Sequence, residues 1–256
     1  MLNAGIPAAA PSPVQAPRKR AYTVDNSVYI KCGTGHQIQR EVEAITFVGQ
    51  QTSIPLPTIL EVHIHEDLPH SESWFSMGVV DGSPLSNAWP LMEEEACRAT
   101  QAELNKIFLE LRAVPPPMPA YIGSCSGGPV YDHRLNNGDP CGPFTSESAF
   151  NDFLVAPVAR CPKKELVNHY RRQLVDDHGV AFTHADLCGE HIFVEPATGR
   201  ITGILDWEMA GWWPTYWEYT KSRYGDRYQA WWKVLVDNFL FPYEPELRIE
   251  EDLQQF

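Results

Sequence analysis

The segment His184-Ala185-Asp186-Leu187-Cys188-Gly189-Glu190-His191, followed by Ile204-Leu205-Asp206-Trp207-Glu208, constrains the fold more than any other part of the chain. Between the two halves lie short apolar runs, Ile192 to Glu195 and Ile201 to Leu205, around a turn that holds Pro196 and Gly199. Such runs flanking a Pro/Gly turn predict a β-hairpin. A hairpin returns its ends to one place. Asp186, in the polar loop before it, and Asp206, at its far end, are therefore expected to face one cleft.

The remaining segments supply the walls of that cleft. Val28 to Lys31 reads as a strand ending at Gly33, and residues 41–50 as a helix stopped by Pro55 and Pro57. Strands are expected near 59–64 and 74–80. Glu93 to Val114 is the clearest helix, with Ala96, Thr100, Leu104, Ile107, Phe108 and Leu111 on one stripe. Residues 121–146, rich in Gly, Pro, Ser and Asn, read as a long loop of the kind that often carries function. Helices are expected over 150–155, 163–177 and 216–239. Strands thus crowd the first third and helices the rest. This predicts an α+β chain of two unequal lobes: a tail over 1–27, a small sheet lobe over 28–85 and a helical lobe over 86–256. The Pro- and Ala-rich start cannot bury enough surface to order itself, although residues 19–26 offer one strand.

Charge narrows the partners. The net charge is −13 and the pI about 5.1, which argues against nucleic acid or an anionic membrane as the main partner. No apolar run approaches the length that spans a bilayer. The six cysteines include no Cys-x-x-Cys pair, which fits reduced thiols in the cytoplasm.

Two carboxylates brought together by a hairpin suit phosphoryl transfer, where one orients an attacking hydroxyl and the other holds a metal on nucleotide phosphates. Lys31, at a strand end, can reach a phosphate as a point charge, and Glu41 or Glu43 on the next helix can brace it. The set His184, Asp186, Cys188 and His191 also has donor types that suit zinc, and Cys188 beside His191 has the form of an activated nucleophile.

The chain resembles the aminoglycoside phosphotransferase-like family of small-molecule kinases, in its fungal-type branch. The resemblance rests on ordered pieces from Tyr29-Ile30-Lys31-Cys32-Gly33 and Thr52 to Pro57, through Met77 to Gly82 and Gly127-Gly128-Pro129. It continues through Phe182 to Leu187, Gly203 to Glu208, and Tyr216-Trp217-Glu218-Tyr219. It covers roughly residues 28–235 and implies a protein-kinase-like bilobal fold, with ATP and magnesium as cofactors and a small-molecule substrate. By the same resemblance Asp186 would be the catalytic base and His184 its scaffold. Lys31 would grip the nucleotide phosphates with Glu41 bracing it, Met77 and Val79 would lie by the adenine, and Asp206 with His191 would hold the metal. The chain departs from the family at three places. His191 replaces an Asn, Ala185 replaces a Gly, and no glycine-rich turn precedes Lys31. Ala185 is expected to be tolerated if its backbone angles are ordinary. These departures keep two alternatives open: a pseudokinase that binds or scaffolds, and a cleft turned to other acid–base chemistry.

Overall fold

The computed structural model describes residues 20–24, 27–65, 73–160 and 165–254. The Pro- and Ala-rich stretch through residue 19 lies outside the described residues, as do positions 163 and 164 of an expected helix. The first strand, β1 (Arg20–Val24), falls inside the span read as tail, and it pairs antiparallel with β2 (Val28–Gly33), Ala21 opposite Lys31. Tyr22-Thr23-Val24 has the aromatic and β-branched character that a pleated strand favours, and β2 gives it a partner.

Helix α1 (Gly35–Gln51) starts earlier than its apolar pattern suggested. Thr34 and Gln37 form a capping box: the Thr34 side chain accepts from the Gln37 amide, and the Gln37 side chain accepts from the Thr34 amide. Its buried stripe runs Ile38, Glu41, Ile45, Val48. Strands β3 (Ile59–His63) and β4 (Ser73–Gly78) complete an antiparallel sheet in the order β1-β2-β4-β3.

A two-residue strand, β5 (Ser83–Pro84), and the one-turn helix α2 (Leu85–Ala88) lead to α3 (Glu94–Arg112). The stripe read from the sequence is the buried face of α3, and each fully buried Leu or Ile there contributes roughly 1.5–3 kcal/mol. Then come α4 (Glu147–Val155), α5 (Glu165–Gln173) and β6 (Val180–Thr183). The expected hairpin is present as β7 (Ile192–Val194) and β8 (Ile201–Ile204), with β5 on its other edge. Its turn is bolted to α3. Thr100 Oγ1 donates to Gly199 O at 2.7 Å, and Glu103 accepts from Ile201 N. Gly199 has φ +75°, and a Cβ there would lie 2.0 Å from Ala96 O, so only glycine allows that approach.

Strand β9 (Gly211–Pro214) pairs with β6, Thr183 opposite Gly211. Neither strand of this pair was foreseen as such. The single helix expected over 216–239 is two, α6 (Trp217–Gly225) and α7 (Ala230–Phe239). The break at Gly225-Asp226 lets Asp226 Oδ2 accept from Gly189 N at 2.9 Å, which pins the Asp186 loop. Helix α8 (Glu244–Leu253) follows. Trp207, Trp212, Trp213, Trp217 and Trp232 are buried, so these rings pack the interior. The fold is kinase-like, with a small sheet-rich N-terminal part and a helical C-terminal part. No helix among the described residues is long and apolar enough to cross a membrane.

Candidate functional site

Pairing sets the site. The β6–β9 pair ends at Thr183 opposite Gly211, and the β7–β8 pair begins at Ile192 opposite Ile204. Asp186 and Asp206 are thereby delivered to one place from two hairpin-like pairings. Strand β2 brings Lys31 over them. Lys31 Nζ lies 2.6 Å from Glu41 Oε2, 2.7 Å from Asp206 Oδ1 and 4.0 Å from Glu208 Oε2. Burial works against the ammonium charge, but Glu41, Asp206 and Glu208 outweigh it and raise Lys31 above its ordinary range.

The choice between Glu41 and Glu43 is resolved by geometry. Glu41 is buried on the Lys31 side of α1, whereas Glu43 accepts from Gln39 on its outer face. The signal was in the sequence: positions 38, 41, 45 and 48 share one helix face, so Glu41 interrupts an otherwise apolar stripe.

The loop around Asp186 is held by its main chain. His184 is fully buried. Its Nδ1 accepts from Asp186 N at 3.2 Å, so Nε2 carries the proton and donates to Leu205 O at 2.9 Å. Burial, then the neighbouring His191, lowers the His184 pKa to about 4 and keeps this ring neutral. His191 Nδ1 donates to Asp186 O at 2.7 Å, and its Nε2 lies 3.5 Å from Asp206 Oδ2. Burial opposes its charge, but the hydrogen bond to Cys188 and the carboxylates of Asp206 and Asp186 lift His191 to about 10. Its ring stands between two carboxylates, Nδ1 3.9 Å from Asp186 Oδ2 and Nε2 3.5 Å from Asp206 Oδ2.

Several supporting residues were not assigned roles from the sequence. Glu218, buried in α6, accepts from His184 N at 2.7 Å and Ala185 N at 3.3 Å. Burial lifts its carboxyl to about 7 against the pull of those amides. Arg134, from the long loop, forms a two-oxygen pair with the fully buried Asp132 and donates to Ala185 O. Its Nη1 reaches 3.7 Å from Asp186 Oδ1. A carboxylate flanked by Trp217 and Tyr219 was a readable hint for Glu218. Nothing local marked Arg134.

Ala185 departs from the expectation of ordinary backbone angles: it has φ +66°, and Asp206 has φ +63°. Both residues of the cleft are left-handed, a conformation that costs about 1–3 kcal/mol for a non-glycine residue. Ala185 is also fully buried. Ala185→Gly is expected to stay within about 1 kcal/mol of wild type, because relieved strain offsets the lost methyl and the looser unfolded chain. Ala185→Val is expected to destabilise by roughly 3 kcal/mol, since a branched side chain suits neither the angle nor the space. Denaturant unfolding of both variants tests this, and equal stabilities would contradict the strain.

A cavity of about 300 Å³ lies under the sheet, and Lys31, Glu41, Met77 and Val79 all line it together with Asp206 and His191. Asp186 and His184 sit behind His191, outside that lining. The donor atoms of Asp186, His191 and Asp206 lie within 4.8 Å of one another. Magnesium commonly takes one or two carboxylates and fills its shell with phosphate oxygens and water, which Asp206 and Asp186 can provide. The imidazole of His191 suits softer metals better than magnesium. The second acidic group, Glu41 with Asp206 and Glu208, already encloses the Lys31 ammonium.

The profile of the phosphotransferase enzyme family matches residues 33–248. Among solved structures, an aminoglycoside-3'-phosphotransferase of type VIII is similar at 16% identity and a TM-score of 0.58, covering 94% of each chain. A thermostable mutant of aminoglycoside phosphotransferase APH(4)-Ia gives a TM-score of 0.62 at 14% identity, over 94% of this chain and 82% of that one. Aminoglycoside phosphotransferase APH(3'')-Id from Streptomyces rimosus, in complex with ADP and streptomycin, gives 0.55 at 15% identity, over 93% and 92%. No curated protein sequence matches significantly.

Proposed function

The chain belongs to the phosphotransferase enzyme family, and on that premise we propose that it transfers the terminal phosphoryl group of ATP to a hydroxyl of a small molecule. The observation that carries this reading is the convergence of Lys31, Glu41, Asp206 and Asp186 on one cleft. Lys31, braced by Glu41, grips phosphate oxygens. Met77 and Val79 border the adenine. Asp186 orients the acceptor hydroxyl and takes its proton as the new oxygen–phosphorus bond forms. The bond from the terminal phosphorus to the bridging oxygen breaks, and ADP leaves with the electron pair. Asp206, with Asp186 beside it, would hold a magnesium ion, which when bound neutralises phosphate charge. His184 and His191 position the loop through the main chain of residue 186.

The ordered pieces from Tyr29 to Tyr219 together carry the resemblance to the fungal-type branch, and cysteines without a Cys-x-x-Cys pair support a cytoplasmic setting. Residues 28–85 form the small lobe and 86–256 the large one, with the sheet extended back to Arg20.

One observation favours a second reading, a fold kept for binding alone. A histidine ring stands between Asp186 and Asp206, where the family resemblance expects a neutral amide. Calorimetric titration of ATP with and without magnesium decides between them. The phosphotransferase reading expects saturable binding strengthened by magnesium and a further gain in turnover for His191→Asn. Absence of nucleotide binding under both conditions would sink it.

A further inference from the structure

Outside the nucleotide cavity, a second cavity meets the Asp186 loop through Arg134. It has a volume of about 160 Å³ and lies between residues 134–137, the end of α4 with the turn after it, and helices α6 and α8. Arg134, Arg160 and Lys221 line it, against the single carboxylate Glu250. Arg134 is paired with Asp132 and Lys221 with Glu250, so in a chain of net charge −13 this cavity carries an excess of one cation, Arg160.

The cavity is tied to the reacting carboxylate by a shared side chain. Arg134 lines it and also stands 3.7 Å from Asp186 Oδ1. Asp132, fully buried behind Arg134, fixes the guanidinium plane through two oxygens. Lys221 is held 2.9 Å from Glu250 and lies over the Trp217 ring at 3.9 Å. Arg160 is exposed and makes no ion pair among the described residues. Two of the cations are therefore locked in place, and the third is available to a ligand. A polycationic amino sugar would meet repulsion here, whereas an anion would meet the mobile Arg160 guanidinium and Nη1 of Arg134, the edge that Asp132 does not take.

We propose that the acceptor carries an anionic group, which Arg160 and Arg134 receive while its hydroxyl faces Asp186. This rests on the phosphotransferase reading for the word acceptor, but the anion site itself does not. Calorimetry on the full chain, with ADP and magnesium at saturating concentration, tests it with four probes: glycerol 3-phosphate, glycerate, glycerol and kanamycin. At least one of the two anions is expected to bind, and glycerol and kanamycin are not. The better anion identifies phosphate or carboxylate as the group received. Arg160→Glu should weaken that anion on the order of tenfold or more, the range for a hydrogen bond to a charged group. Arg98→Glu, on the exposed face of α3, should leave it unchanged.

Binding of kanamycin with neither anion overturns the proposal, as does failure of both anions to bind or indifference of the bound anion to Arg160→Glu. The two readings fail separately. Arg160-dependent anion binding in a protein that binds no nucleotide removes the phosphotransferase and leaves the anion site. Nucleotide binding without anion binding does the reverse.

Discussion

Replacing Asp186 by Asn is expected to leave a folded, nucleotide-binding protein whose phosphoryl transfer is slower by about 10²- to 10⁴-fold, the usual share of a positioned acid or base. The fold should survive because the loop is held through main-chain groups. The Asp186 amide donates to His184, its carbonyl accepts from His191, and Glu218 grips the two preceding amides. Among the described residues its carboxylate meets Arg134 at 3.7 Å and His191 at 3.9 Å, contacts that an amide of the same shape loses at little cost. Nucleotide turnover, thermal unfolding and ATP calorimetry on the same preparation separate these effects. An undiminished rate would remove Asp186 from the chemistry, and a collapse of unfolding temperature would make it a structural residue.

Lys31→Met carries the other large effect, and here stability moves with binding. Methionine leaves Glu41, almost fully buried, with no cation, and it strips Asp206 and Glu208 of their shared one. Breaking one partner of a buried pair costs about 3–5 kcal/mol, which in a chain of this size lowers the melting temperature by roughly 10 °C. Nucleotide affinity should fall together with it. The double variant Lys31→Met/Glu41→Leu should recover most of the stability and none of the affinity, because a well-packed apolar pair can replace a buried ionic one. If Lys31→Met alone proves as stable as wild type, the buried cluster is not what holds β2 to α1 and the hairpin.

What could be read in advance followed the range of the interactions. The apolar stripe of α3 and the β7–β8 hairpin are local patterns, and both stand where expected. So does the meeting of Asp186 with Asp206, since a hairpin needs no distant partner to bring its ends together. The start of α1 was missed because its signal is a two-residue reciprocal cap rather than periodicity. Strand β1 lies in the span read as tail with one strand on offer over 19–26, and pairing with β2 is what makes it a strand. Ala185 shows a different limit. A sequence states that alanine replaces glycine, but only the chain path shows that the position kept a positive φ. Arg134 is the extreme case: it acts on a residue far along the chain, from a loop with no pattern of its own.

The lysine at the centre of the cleft has one further consequence. An ammonium has three protons to give, and on Lys31 two of them already point at Glu41 and Asp206 at bonding distance. The third is left for an incoming anion, which can join the cluster without displacing either carboxylate. A phosphate oxygen would use that proton, whereas an uncharged nucleoside would leave it idle. The lysine thus gives charged ligands a contact that shape alone does not supply.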